Sequence, residues 1–129
     1  MSQENVEIAR RAFERFLATG PPWDMLDEDI DVHDYDTPDQ GTYRGHTGYG
    51  RWLKDWGAAW ADWTMEPQDY IDAGDQVVVV FLMKATGRDS GVAVERQDAM
   101  VARMRNGKIV SLDYYNNKRQ ALKAAGLEE

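Results

Sequence analysis

The chain contains no cysteine. That excludes a disulfide scaffold, a thiolate nucleophile and any cysteine-ligated zinc or iron–sulfur site. Only two histidines are present, His33 and His46, and neither stands at a His-x-x-His or Glu-x-x-His spacing, so no metal is expected. Gly-x-Gly-x-x-Gly and phosphate-loop patterns are missing too, and no cofactor is expected. Basic residues are the minority: 15 Lys and Arg against 23 Asp and Glu leave a net charge of -8. An acidic chain repels phosphate backbones and anionic lipid, which argues against nucleic-acid and membrane partners. The longest apolar run, Val77 to Met83, is far too short to span a bilayer. Residues Met1 to Asn5 lack the basic and apolar regions of a signal peptide, so a cytoplasmic protein is the expectation.

Aromatic residues, by contrast, are plentiful. Five Trp, six Tyr and three Phe make 11% of the 129 residues, and four of the Trp fall between Trp52 and Trp63. Such density fills a large core or lines an apolar pocket. Hydrophobic and charged residues stand at 43% and 29%, an ordinary balance for one globular domain over residues 1–129.

Val6, Ala9, Phe13, Phe16 and Leu17 recur at helical spacing, with Ser2 as a candidate cap and Gly20-Pro21-Pro22 as the stop. A short turn is expected over Trp23–Leu26, a strand over Ile30–Tyr35 and a polar loop over Asp36–Arg44. A second helix is expected from about His46 to Ala61, its face formed by Tyr49, Trp52, Leu53, Trp56 and Trp60. Gly45, Gly48 and Gly50 at its start read as packing or kink residues. Four strands follow, over Trp63–Ile71, Gln76–Thr86, Val92–Met104 and Lys108–Asn116. Asn106-Gly107 is a hairpin signal before the last strand. Lys118–Ala125 closes the chain as a short helix. This order predicts an α+β fold, a cone-shaped curved antiparallel sheet with helices packed on its concave face.

Several segments also carry a family resemblance. Asn5-Val6-Glu7-Ile8-Ala9-Arg10-Arg11-Ala12-Phe13, Tyr43-Arg44-Gly45, Asp72-Ala73-Gly74-Asp75-Gln76-Val77-Val78-Val79 and Arg105-Asn106-Gly107-Lys108-Ile109-Val110 resemble SnoaL-like proteins of the nuclear transport factor 2-like superfamily. That superfamily includes ketosteroid isomerases, polyketide cyclases and limonene-epoxide hydrolases, so the resemblance implies the fold more firmly than any one reaction.

Resemblance to the isomerases implies that Val110, Leu112, Tyr114 and Asn116 face the cone, and with them Arg96, Asp98, Met100, Ala102 and Met104 of the preceding strand. Arg96 and Asp98 share a face at i and i+2. Either they lie near the strand end and reach solvent, or Arg96 holds Asp98 ionised as a pocket base. Arg-x-Asp resembles the limonene-epoxide hydrolase arrangement, which wants a second Asp, supplied by Asp34 or Asp113. Val32-His33-Asp34 resembles the isomerase segment bearing the general base. Asp34 is thus an alternative base, or simply part of a solvated acidic stretch running from Asp24 to Asp39. Two departures count against steroid isomerisation: Phe13 stands where the isomerase oxyanion hole has a Tyr, and Met100 where it has a protonated acid. Ser111 has no histidine expected on its face, so a hydrolase triad is not expected. Trp52 and Trp56 are core residues or the floor of a pocket.

The expected function is cofactor-free acid–base chemistry on a small apolar organic ligand: cyclisation, isomerisation or epoxide hydrolysis. Catalysis would fall to Asp98, Arg96 and Asp34, and ligand contact to Tyr114, Asn116, Trp52, Trp56, Phe13, Met100 and Leu112. The alternative is a non-catalytic binding domain of the same fold. Because Gln76 to Met83 is apolar at both parities, its second face needs a cover, and a homodimer packed through the sheet is the expected one, the alternative being that strand curvature or the terminal helix hides that face within one subunit.

Overall fold

The computed structural model describes residues 2–35 and 41–127. The loop residues Asp36 to Gln40 lie outside the described residues, as does the side chain of Ser2 and with it the expected cap. Helix α1 spans Ser2–Thr19 and buries Ala9, Ala12 and Phe13. It ends where the Gly20 amide bonds back to the Phe16 carbonyl, and Trp23–Met25 adds one 3-10 turn. Strands β1 (Leu26–Asp34) and β2 (Thr42–Arg44) precede helix α2 (Gly45–Ala58). Strands β3 (Trp60–Ala73), β4 (Gln76–Gly87), β5 (Ala93–Arg105) and β6 (Lys108–Tyr115) follow, and helix α3 (Lys118–Ala124) comes last.

The six strands form one curved, unclosed sheet in the order β2-β1-β6-β5-β4-β3. Its α+β architecture and curved sheet are those expected, and α1 and α2 lie on the concave side against β3–β4 and β1–β3 respectively. Local signals account for the meander. Asn106 and Gly107 both have positive φ, 54° and 78°, as a two-residue hairpin turn between β5 and β6 requires. Gly48 lets α2 close on β2, since a Cβ there would stand 3.1 Å from the Tyr43 carbonyl carbon. Pro67 sits in edge strand β3 beside an irregularity between Pro67 and Asp69, where a missing N–H is tolerated and the strand bends.

Four expectations change. First, β1 pairs with β6 in parallel, while every other pair is antiparallel. The chain makes a long excursion through β2, α2 and three strands before β6 returns beside β1, which frees the pair from hairpin geometry. Second, α2 ends at Ala58, so Trp60 opens β3 instead of extending the helix. Arg88 holds the junction: its side chain donates to the carbonyl of Ala58 (3.1 Å), which the helix end leaves bare, and to that of Trp60 (2.9 Å) at the start of β3. Third, the register slips between Arg103 and Met104, with Ser111 opposite the one and Ile109 opposite the other. That irregularity turns Ile109 inward and takes Val110 off the face it was expected to share with Leu112 and Tyr114. Fourth, the second face of β4 is covered within the chain. Val78, Val80, Ala99 and Val101 are buried with Ala121, and Leu122 and Ala125 pack beside them. The short terminal helix thus supplies a cover for this face within one subunit, the alternative to a second copy.

Candidate functional site

The concave face carries the main core, in which Phe13 lies 5.3 Å from Phe81, ring centre to ring centre. Between that core and the helices is a recess of about 220 Å³. Helix α1 contributes Ala9, Ala12, Phe13 and Phe16, and α2 contributes Tyr49, Trp52, Leu53 and Trp56. The sheet contributes Trp63, Met65, Val79, Met100, Ala102, Ile109, Leu112 and Tyr114. Helical spacing in α1 and α2 and alternation along β5 put these side chains on one surface. Phe16 and Trp63 stack at 6.2 Å, and Trp63 is 36% exposed while lining the recess, so this pair stands where the recess meets solvent.

Six residues expected to touch a ligand line the recess: Phe13, Trp52, Trp56, Met100, Leu112 and Tyr114. The three expected catalytic residues do not, and each has a definite place. Asp98 is 0% exposed and stands behind Tyr114, which donates its hydroxyl proton to Asp98 Oδ2. Met100 faces Tyr114 across the β5–β6 ladder, so Asp98, two residues away on the same side of β5, reaches the hydroxyl diagonally. Arg96 grips the same carboxylate with two bonds, Nε to Oδ1 at 2.6 Å and Nη2 to Oδ2 at 3.2 Å. The Asp98 carboxylate is thus buried, while the Arg96 side chain is 29% exposed. Planar two-point pairing and the Tyr114 hydroxyl offset the cost of removing the carboxylate from water.

Asp34 is 2% exposed, so it is not part of a solvated acidic stretch. It shares a buried face of β1 with Ile30 and Val32 and accepts a 2.8 Å hydrogen bond from Trp52 Nε1. The two carboxylates therefore back two different rings, and those rings, Trp52 and Tyr114, meet edge to face at 6.0 Å. Asn116 lies outside the recess, exposed in a shallow surface depression with Arg96 and Lys118.

Asp113, an expected second carboxylate, faces away from the recess. The parallel register sets it opposite His33, and His33 Nδ1 stands 2.9 Å from Asp113 Oδ1 on the outer face. Ser111 shares that face, so the expectation that no histidine accompanies it is corrected; a parallel neighbour cannot be read from local pattern. His46 is also less exposed than expected, with Nε2 3.0 Å from the Leu26 carbonyl.

Phe16, Tyr49, Leu53, Trp63, Met65, Val79 and Ile109 also line the recess and were not singled out as ligand contacts. The Trp52–Trp63 cluster pointed toward Trp63, whereas Ile109 depends on the β-bulge. Burial holds the Tyr49 phenol well above the ordinary tyrosine range, so it stays neutral. The indole N–H groups of Trp56 and Trp60 are buried with no acceptor among the described residues. Among the described residues, no three His, Cys, Asp or Glu side chains stand together in a metal-holding group, and no helix is long and apolar enough to cross a membrane.

The SnoaL-like domain profile matches residues 7–112, which includes most of α1, all of α2 and nearly all of the sheet. The chain belongs to the SnoaL-like family. No curated protein matches it. Among solved structures, a nuclear transport factor 2-like protein of unknown function from Burkholderia pseudomallei is similar, with 20% identity and a TM-score of 0.77 over 93% of this chain and 95% of that one. TerC, crystallised with polyporic acid, has 18% identity and a TM-score of 0.74 over 95% and 98% of the two chains. A protein with a ketosteroid isomerase-like fold from Catenulispora acidiphila, in complex with trimethylamine, has 18% identity and a TM-score of 0.72 over 95% and 94%. At these identities the SnoaL-like chain shares their fold; its chemistry rests on its own residues.

Proposed function

We propose that this SnoaL-like chain binds a small organic molecule with an apolar surface in the concave recess. One observation carries the reading: among the described residues, every side chain lining the recess is apolar or aromatic, and the buried Asp34 and Asp98 are not part of that lining, being bonded to Trp52 and Tyr114. Such a site gains its affinity from burial and ring contact. Similar folds were crystallised with polyporic acid and in complex with trimethylamine, both small organic molecules. The test is titration with naphthalene, followed by tryptophan fluorescence, on the parent chain and on Ala102→Phe, which places a ring in the recess. Binding to the parent and its loss in the folded variant support the proposal. Equal affinity in both overturns it.

A second reading, acid–base turnover, is favoured by one specific contact. Tyr114 lines the recess and its hydroxyl is held by a carboxylate that Arg96 in turn holds. On this reading Tyr114 is the group that touches the substrate and exchanges a proton with it, and Asp98 and Arg96 are positioning residues. Tyr114→Phe then retains ligand affinity and loses turnover; unchanged turnover rejects the role.

A further inference from the structure

We infer that the ligand lies with its apolar body deep in the recess and an acceptor oxygen, that of a ketone or an ether, on the indole N–H of Trp56. This rests on the reading of the recess as a ligand site and adds where the ligand's polar contact falls. Trp56 lines the recess from the last turn of α2, and its N–H is buried with no acceptor among the described residues. A buried donor is nearly always hydrogen-bonded, because leaving it without a partner forfeits the bond it made to water. The rings around it offset little of that loss. Trp63, Trp60 and Tyr114 lie 5.3, 5.9 and 6.4 Å away, ring centre to ring centre, and a ring face is only a weak acceptor.

The remaining chemistry of the wall sets the kind of group that meets this donor. The Trp52 N–H and the Tyr114 hydroxyl already donate to Asp34 and Asp98. Among the described residues, no carboxylate, amide or cationic side chain lines the recess. A charged group entering it would give up water and find no counter-charge in the lining. Beyond two phenol oxygens, the side-chain acceptors are the thioethers of Met65 and Met100, which are weak, so a ligand rich in donors is poorly served as well. A ketone or ether oxygen brings lone pairs and no donor of its own.

The place of Trp56 also orients the ligand. Its ring pairs with the buried Tyr114 on one side and with Trp63, at the mouth, on the other. The apolar body thus lies toward Phe13, Met100 and Tyr114, and the oxygen stands nearer the mouth. Trp56 is half-buried, and a Cβ on Gly57, which adjoins it in the lining, would meet nothing within 4 Å. A small turn of the indole into that space presents its N–H to the recess. The recess, about 220 Å³, compares with an apolar cavity of about 150 Å³ that admits benzene, so a two-ring ketone such as 1-tetralone fits.

Calorimetric titration with 1-tetralone and with tetralin, the same two-ring frame without the oxygen, tests the inference on the parent chain, Trp56→Phe and Trp60→Phe. Tetralin, like naphthalene, reports whether the recess takes a ligand at all. Trp56→Phe is expected to weaken 1-tetralone binding about tenfold and tetralin binding by no more than about twofold. Trp60 has a buried N–H of the same kind but does not line the recess, so Trp60→Phe is expected to leave both affinities unchanged. In the parent chain, the infrared carbonyl stretch of bound 1-tetralone is expected below its position in an apolar solvent. An unshifted stretch overturns the inference whether or not Trp56→Phe folds. Equal losses for both ligands in Trp56→Phe, no loss for either, or the same 1-tetralone loss in Trp60→Phe overturns it too. Tetralin binding without 1-tetralone binding does the same and leaves the recess proposal standing. Failure of tetralin, naphthalene and 1-tetralone alike overturns both.

Discussion

Arg96 and Asp98 present an asymmetric pair, and the asymmetry makes a sharp prediction. Asp98 is 0% exposed, whereas Arg96 is 29% exposed. Arg96→Met removes the two guanidinium bonds and leaves a carboxylate in the core with the Tyr114 hydroxyl still donating to it. Breaking a buried pair by deleting one partner costs about 3–5 kcal/mol. Because Arg96 reaches partly to solvent, water can follow into its space, and the lower end, about 3 kcal/mol, is expected. For a chain of this size that lowers the melting temperature by about 10 °C. Asp98→Asn leaves the other partner, but the guanidinium can turn toward solvent and the amide oxygen still accepts from Tyr114. Its cost is expected to be about 1–2 kcal/mol. Urea titrations of both variants and of the double variant would measure the coupling, and the double variant should be less destabilised than the two single losses summed. Equal costs for the single variants, or additive losses in the double, would refute the view that the guanidinium serves chiefly to hold a buried charge.

Three further outcomes are expected. The buried Tyr70 hydroxyl has no partner among the described residues, so Tyr70→Phe should be neutral or stabilising by up to about 1–2 kcal/mol, read by thermal melting; a clear loss would reveal a bond to that hydroxyl. Burial, with Asp113 and Tyr35 adding, pushes the Tyr115 phenol up to about 12, and burial raises Tyr49 and Tyr70 too. A folded value above the ordinary 10.0 means that this stabilisation is intact below pH 10.0 and lost as pH rises toward about 12, so tyrosinate absorbance and unfolding should appear together in that window. Removing residues 117–129 uncovers Val78, Val80, Ala99 and Val101, and the three valines alone represent about 1.5–3 kcal/mol each as an upper bound. The shortened chain should self-associate in sedimentation equilibrium, and a stable monomer would show that α3 is not the cover.

The sequence by itself determined the elements and much of the wall of the site. Helical spacing marked Ala9, Phe13, Trp52 and Trp56, and the Asn106-Gly107 turn marked the last hairpin, because each depends on neighbours within one or two turns of chain; alternation grouped Met100 with its face, and the family resemblance turned that face inward. Tertiary structure decided the rest, since each remaining feature joins residues far apart. The parallel β1–β6 pair brought His33 to Asp113 on the outer face. A slip in the β5–β6 register exchanged Ile109 for Val110, and Arg88 holds the end of α2 from 30 residues away. Above all, Asp34 and Asp98 were legible as candidates, but a pattern of faces cannot say what stands in front of a carboxylate. Packing put Trp52 and Tyr114 there, as donors to the two carboxylates.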